Sequence, residues 1–61
     1  MAFGALYNQV RVAYARQLLR ESTDKAGEIS ERLGFASPDY FTRIFKDITG
    51  CTPSAYRAAH L

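Results

Sequence analysis

The chain has 61 residues and a formal net charge of +2, so it forms at most one small domain, of the size that buries only about 60% of its unfolded surface. Its single cysteine, Cys51, and single histidine, His60, leave no internal disulfide and too few ligands for a zinc site or a Cys–His catalytic pair. No apolar run approaches the ~20 residues of a membrane span and the start lacks a signal-peptide layout, so a reducing cytoplasm fits best. The mild basicity alone says little about nucleic acid, and 48% hydrophobic residues with four Phe and four Tyr suffice for one core.

From Ala5 to Glu21 neither proline nor glycine interrupts, and the spacing predicts one long amphipathic helix. Leu6, Val10, Tyr14 and Leu18 step by four, and Ala15, Leu18 and Leu19 thicken that stripe, which is expected to face the core. Arg11, Arg16, Gln17 and Arg20 supply polar positions. Phe3, Leu6, Tyr7 and Val10 reach about two turns beyond what a three-helix core needs, and an apolar helix end left over in this way points to a neighbour.

Ser22-Thr23-Asp24 breaks the pattern, with Asp24 as the expected N-cap of a second helix over residues 25–33. Gly27 inside that helix costs about 1 kcal/mol relative to alanine, so its first turn is expected to fray. Gly34, just past Ile29 and Leu33, suits a residue that takes positive φ to stop a helix. Ser37-Pro38-Asp39 starts the next one: Ser37 as N-cap, Pro38 at the first helical position, Asp39 against the positive helix end.

The helix over 37–49 has two unlike stripes. Phe41, Ile44, Phe45 and Ile48 fall at i, i+3, i+4 and i+7; so, on the other side, do Asp39, Thr42, Arg43 and Lys46. The first stripe anchors the helix, and the second presents a carboxylate, a hydroxyl, a guanidinium and an ammonium outward. Gly50 ends it, and Thr52-Pro53 opens a last helix over residues 53–59 with Tyr56 turned inward. The expected fold is all-α, a small homeodomain-like helix-turn-helix bundle of about four helices. Val12, Ala15, Leu19, Ile29, Leu33, Phe41, Phe45, Ile48 and Tyr56 should form most of its core.

These residues resemble the second helix-turn-helix of the AraC/XylS family of bacterial transcription regulators. The resemblance rests on Ile29-Ser30, Gly34-Phe35, Ser37, Tyr40-Phe41, Arg43, Phe45-Lys46, Gly50, Thr52-Pro53 and Tyr56-Arg57. Upstream, Tyr7, Arg11, Ala15 and Leu18-Leu19 are similar to the helix that links the two helix-turn-helix halves in that family. Two positions depart from the pattern: Ser30 stands where alanine is usual, and Ala26 where a larger apolar residue is usual. The resemblance implies a linker helix over 5–21, a helix-turn-helix with its C-terminal helix over 25–59, and a fragment of a larger regulator. The partners it implies are double-stranded DNA, the first helix-turn-helix half and a sensor domain, with no membrane, cofactor, metal or catalytic group. Phe3, Leu6, Tyr7 and Val10 would then abut the first half.

Each candidate contact has a plainer alternative. Arg43 can bind guanine O6/N7 with both arms of its fork, or it can be solvated or meet a phosphate; the resemblance favours a base. Asp39 can accept from cytosine N4, but a helix-end carboxylate is the first reading. Thr42 can touch a thymine methyl or a phosphate, and Pro38 offers an apolar surface that the resemblance places near bases. Ser37, Lys46 and Lys25 are phosphate candidates, and Arg32 lies on the helix that crosses the backbone in this arrangement. Most of the Tyr and Phe residues read as core, Cys51 as a loop residue, and Arg57 as a partner for a carboxylate of the second helix. The alternative function is a helical protein-interaction module docking through Phe3, Leu6, Tyr7 and Val10. An enzyme is the weakest reading, because no nucleophile–base pair is visible.

Overall fold

The computed structural model of the protein describes the backbone of residues 2–60 and the side chains of residues 6–60. Phe3 therefore lies outside the described side chains. Four helices follow one another: α1 (Ala2–Glu21), α2 (Ala26–Arg32), α3 (Pro38–Thr49) and α4 (Pro53–Ala59). Among the described residues there is no strand.

Local chemistry sets most of the boundaries. The Ser37 Oγ accepts the Tyr40 N–H at 3.1 Å, and the Thr52 Oγ1 accepts the Ala55 N–H at 3.2 Å. Pro38 and Pro53 occupy the first helical positions, where a missing N–H costs nothing. Gly34 and Gly50 take φ of +80° and +87°, the left-handed region that stops α2 and α3. The second helix departs from expectation. Its N-cap is Lys25, whose backbone N–H donates to the Glu28 carboxylate at 2.8 Å. Asp24 instead pairs with Arg32 at 3.1 Å, bracing the start of α2 against its last turn.

The first helix packs on each of the other three. Its buried residues are Val12, Ala15 and Leu19, spaced i, i+3 and i+7. The four-step stripe is not the core face: Leu6, Val10 and Tyr14 are exposed, and Leu18 is half-buried. Each step of four overshoots a full turn by about 40°, so a run of such steps winds off any one face. Ile29, Phe35, Phe41, Phe45 and Tyr56 complete the core. Ring centroids run 4.9 Å from Phe35 to Phe41, 5.8 Å on to Phe45 and 5.6 Å on to Tyr56, spacings that suit edge-on aromatic contacts.

Two expected core residues are displaced. Leu33 is half-buried, and Ile48 is 40% exposed, lining a shallow cleft with Asn8, Gln9, Ile44 and Asp47. Phe35 fills the core in their stead, because the left-handed Gly34 swings the next residue inward. Arg57 also departs from expectation. Its Nε donates to the Leu19 carbonyl and its Nη2 to the Ser22 carbonyl, both at 3.0 Å. It closes the end of α1, where carbonyls lack helical partners, instead of meeting a carboxylate of α2.

Candidate nucleic-acid interface

The third helix is held by its inner face. Phe41 and Phe45 have no exposed surface, and Ser30, itself buried on α2, donates its hydroxyl to the Ser37 carbonyl at 3.3 Å. A larger residue at position 30 would push α2 and α3 apart; the small polar one ties them together at the turn.

With that side fixed, the opposite side faces outward. Pro38, Asp39, Arg43 and Lys46 are exposed, while Thr42 is half-buried on the flank. Among the described residues neither Arg43 nor Lys46 has a carboxylate partner; the ion pair found there is Arg32–Asp24. Both cations are thus available to an outside acceptor. Ser37 is half-buried, and its oxygen is occupied in capping, but its proton remains free to donate. Lys25 is exposed at the start of α2, one helix length from the turn. The structure therefore gathers Pro38, Asp39, Thr42, Arg43 and Lys46 on α3 and leaves Lys25 on a different element.

Two residues of this surface escaped the sequence reading. Tyr40, which the outer stripe did not include, is 40% exposed, and Asp47 is exposed. Counting about 100° per residue from the midline of Phe41 and Phe45 puts both beside Arg43, a signal present in the sequence. The outer face thus carries Asp39 and Asp47 against Arg43 and Lys46 and has no net charge. Such a face suits directed hydrogen bonds better than bulk attraction to a polyanion.

At the far end of the core, Arg20 Nη1 donates to the Tyr56 hydroxyl at 2.7 Å, and His60 stacks on the Tyr56 ring at 4.2 Å. Burial pushes the Tyr56 phenol up, but hydrogen bonds and charge from Arg16 and Arg20 outweigh it and hold the phenol below its ordinary value. This cluster closes the α1–α4 contact and has no part on the α3 face. Among the described residues no group of His, Cys, Asp and Glu is placed to hold a metal ion, and no helix is long and apolar enough to cross a membrane.

Fold and surface together define a helix-turn-helix unit. A helix-turn-helix domain family matches residues 1–59. The uncharacterized HTH-type transcriptional regulator YisR of Bacillus subtilis is 44% identical over 50 residues, which cover 82% of this chain and 17% of YisR. The HTH-type transcriptional activator RhaR of Salmonella heidelberg is 39% identical over 57 residues, 93% of this chain and 20% of RhaR. RhaR of Salmonella typhi matches to the same extent. The chain belongs to the AraC-type helix-turn-helix family, a DNA-binding and non-enzymatic class. It spans about a fifth of the length of these curated relatives. No solved structure matches it.

Proposed function

We propose that the chain binds double-stranded DNA sequence-specifically, as part of a cytoplasmic bacterial transcription regulator, with α3 lying in the major groove. The observation that carries this reading is the opposition of faces on α3: Phe41 and Phe45 are fully buried while Arg43 and Lys46 are exposed and free of carboxylates among the described residues. A major groove about 12 Å wide admits a helix presented in this way. Arg43 then reads guanine, and Thr42 on the flank meets a thymine methyl or a phosphate. Pro38 lies against the base edges. Asp39 accepts from cytosine N4 where the sequence offers it and otherwise serves the helix end. Lys46, Ser37 and Lys25 meet the backbone, and the exposed Tyr40 adds a hydroxyl there.

A face with balanced charge makes few phosphate contacts. The affinity of this unit alone belongs near the non-specific range, roughly 10⁻⁴–10⁻⁶ M. The exposed Leu6, Tyr7 and Val10 fit a neighbouring unit of the same regulator, which would raise affinity through effective concentration. Residues 5–21 then serve as the linker helix and residues 25–59 as the second DNA-binding half.

The second reading, docking of an unrelated protein, is favoured by the same residues, with Leu6 62% and Tyr7 60% exposed. A titration of the chain against duplex DNA over a range of salt separates the two. Counterion release makes DNA affinity fall with salt in proportion to the phosphates contacted, whereas an apolar dock hardly responds. Absence of duplex binding at low salt would remove the DNA reading.

A further inference from the structure

We propose that Arg11 is the positioning residue of α3: it clamps the α2–α3 turn to α1 and makes the first turn of α3 sensitive to whatever covers Tyr7. Arg11 Nη1 donates to the Gly34 carbonyl at 3.0 Å, a reach of 23 residues along the chain. Nη2 donates to the Asn8 Oδ1 at 2.6 Å, which fixes the fork from its own helix. The guanidinium carbon lies 3.9 Å from the centre of the Phe35 ring and 4.4 Å from that of Tyr7. Its Nε is buried and meets no acceptor. A buried donor left unpaired is costly, so the orientation of this group is set by the turn and the two rings against its own full satisfaction.

The clamp grips the point where the chain changes direction. Gly34 takes the left-handed conformation that ends α2, and its carbonyl is the acceptor that Arg11 holds. Phe35, on which the guanidinium rests, packs 4.9 Å from Phe41 and 6.1 Å from Tyr40. A shift of Phe35 therefore moves the first turn of α3, which carries Pro38, Asp39 and Tyr40. On the other side, Tyr7 is 60% exposed. Cation–π pairs strengthen when water is removed, so a protein surface that covers Tyr7 tightens the grip on Phe35. Occupancy of the N-terminal half of α1 is thereby felt at the reading face. The last step rests on the proposed DNA-binding role; the clamp itself does not.

Amide hydrogen exchange on the 61-residue chain tests the clamp without DNA. In Arg11→Met, exchange at Gly34, Phe35, Tyr40 and Phe41 accelerates by about tenfold or more, as expected for losing a hydrogen bond to a charged group. Amides of Tyr56 and Arg57 in α4 keep their rates. Arg11→Lys fails to restore protection, since lysine keeps the charge but lacks the fork and the flat stacking surface. Tyr7→Ala gives a smaller acceleration at the same amides, and serves alone should Arg11→Met not fold. Uniform acceleration that includes α4, no acceleration at the turn, or full protection in Arg11→Lys would each overturn the proposal.

A second arm uses duplexes selected by the wild-type chain from a random pool. Arg11→Met lowers the ratio of selected to scrambled affinity by about tenfold and leaves the salt slope unchanged, because its guanidinium is already engaged by the Gly34 carbonyl and the Asn8 Oδ1. A slope reduced by about one unit would make Arg11 a phosphate contact and overturn the positioning role. A wild-type chain that binds no duplex at low salt would sink the DNA reading, while the exchange pattern would still decide the clamp.

Discussion

The apolar stripe of α1 between Leu6 and Tyr14 and the outer face of α3 are both left uncovered by the core, yet they offer opposite chemistry. The first exposes Leu6, Tyr7, Val10 and Tyr14. The second exposes Asp39, Arg43, Lys46 and Asp47. An apolar surface gains free energy by losing water over an area, with little demand on geometry. A face of balanced charges gains only where a partner meets each group with matching donors and acceptors. The difference teaches that this unit has one surface suited to a protein neighbour and another suited to reading a polar pattern. A single core, formed around Phe41 and Phe45, holds both in register.

The comparison breaks most completely when that shared core is removed. Phe45→Ala should cost about 3–5 kcal/mol, close to the whole stability of so small a domain, and chemical denaturation will measure it. A cooperative transition near that of the wild type would mean that Phe45 does not anchor α3. Next come two glycines, Gly27 within α2 and Gly34 just past its end. Gly34→Ala should destabilise by roughly 1 kcal/mol because φ is +80° there. Gly27→Ala should stabilise by about 0.5–1 kcal/mol, since an added Cβ meets nothing within 4 Å. Thermal melts of the pair should move in opposite directions, and a shared direction would contradict the turn geometry.

Smaller effects sharpen the contrast between the surfaces. Leu6→Gln and Val10→Gln should change stability by no more than about 0.5 kcal/mol, as surface positions do. A loss of several times that would put them in the core. The least effect at neutral pH comes from Tyr56, whose folded phenol lies below its ordinary value. A lowered phenol means that the folded state favours phenolate. Its contribution to stability is full above the unfolded value near 10, fades as pH falls through the folded value, and is absent at neutral pH. Phenolate absorbance should show Tyr56 titrating early, and Arg20→Gln should move it upward; an unmoved titration would mean that Arg20 does not act on it.

What could be read from the sequence was what neighbouring residues decide. Ser37-Pro38, Thr52-Pro53, Gly34 and Gly50 act within a turn or so of themselves; α3 and α4 begin, and α2 and α3 end, where those residues direct. Phe41 and Phe45 were legible because a short helix keeps one face. The inward face of α1 was less so, since a four-step stripe over a long helix drifts away from the true contact at Val12, Ala15 and Leu19. Asp24 was misjudged because two carboxylates, its own and that of Glu28, competed for the cap, and Arg32 claimed one of them. Contacts between distant residues left no local trace. Arg57 reaches Leu19 across 38 positions and Arg11 reaches Gly34 across 23. Tyr40 was different: helical geometry alone puts it on the outer face, beside the stripe of Asp39, Thr42, Arg43 and Lys46 that the sequence reading picked out.

That α3 reads bases through Arg43 and meets phosphate through Lys46 is tested most directly by titrating Arg43→Ala and Lys46→Ala on selected and scrambled duplexes at several salt concentrations. In a regulator that carries both helix-turn-helix halves, Arg43→Ala should lose about 1–3 kcal/mol on the selected duplex and relax preference at one base pair. Lys46→Ala should weaken both duplexes equally and reduce the salt slope by about one unit. Reversed effects would exchange the two roles, and no effect from either substitution would mean that the outer face of α3 does not read DNA.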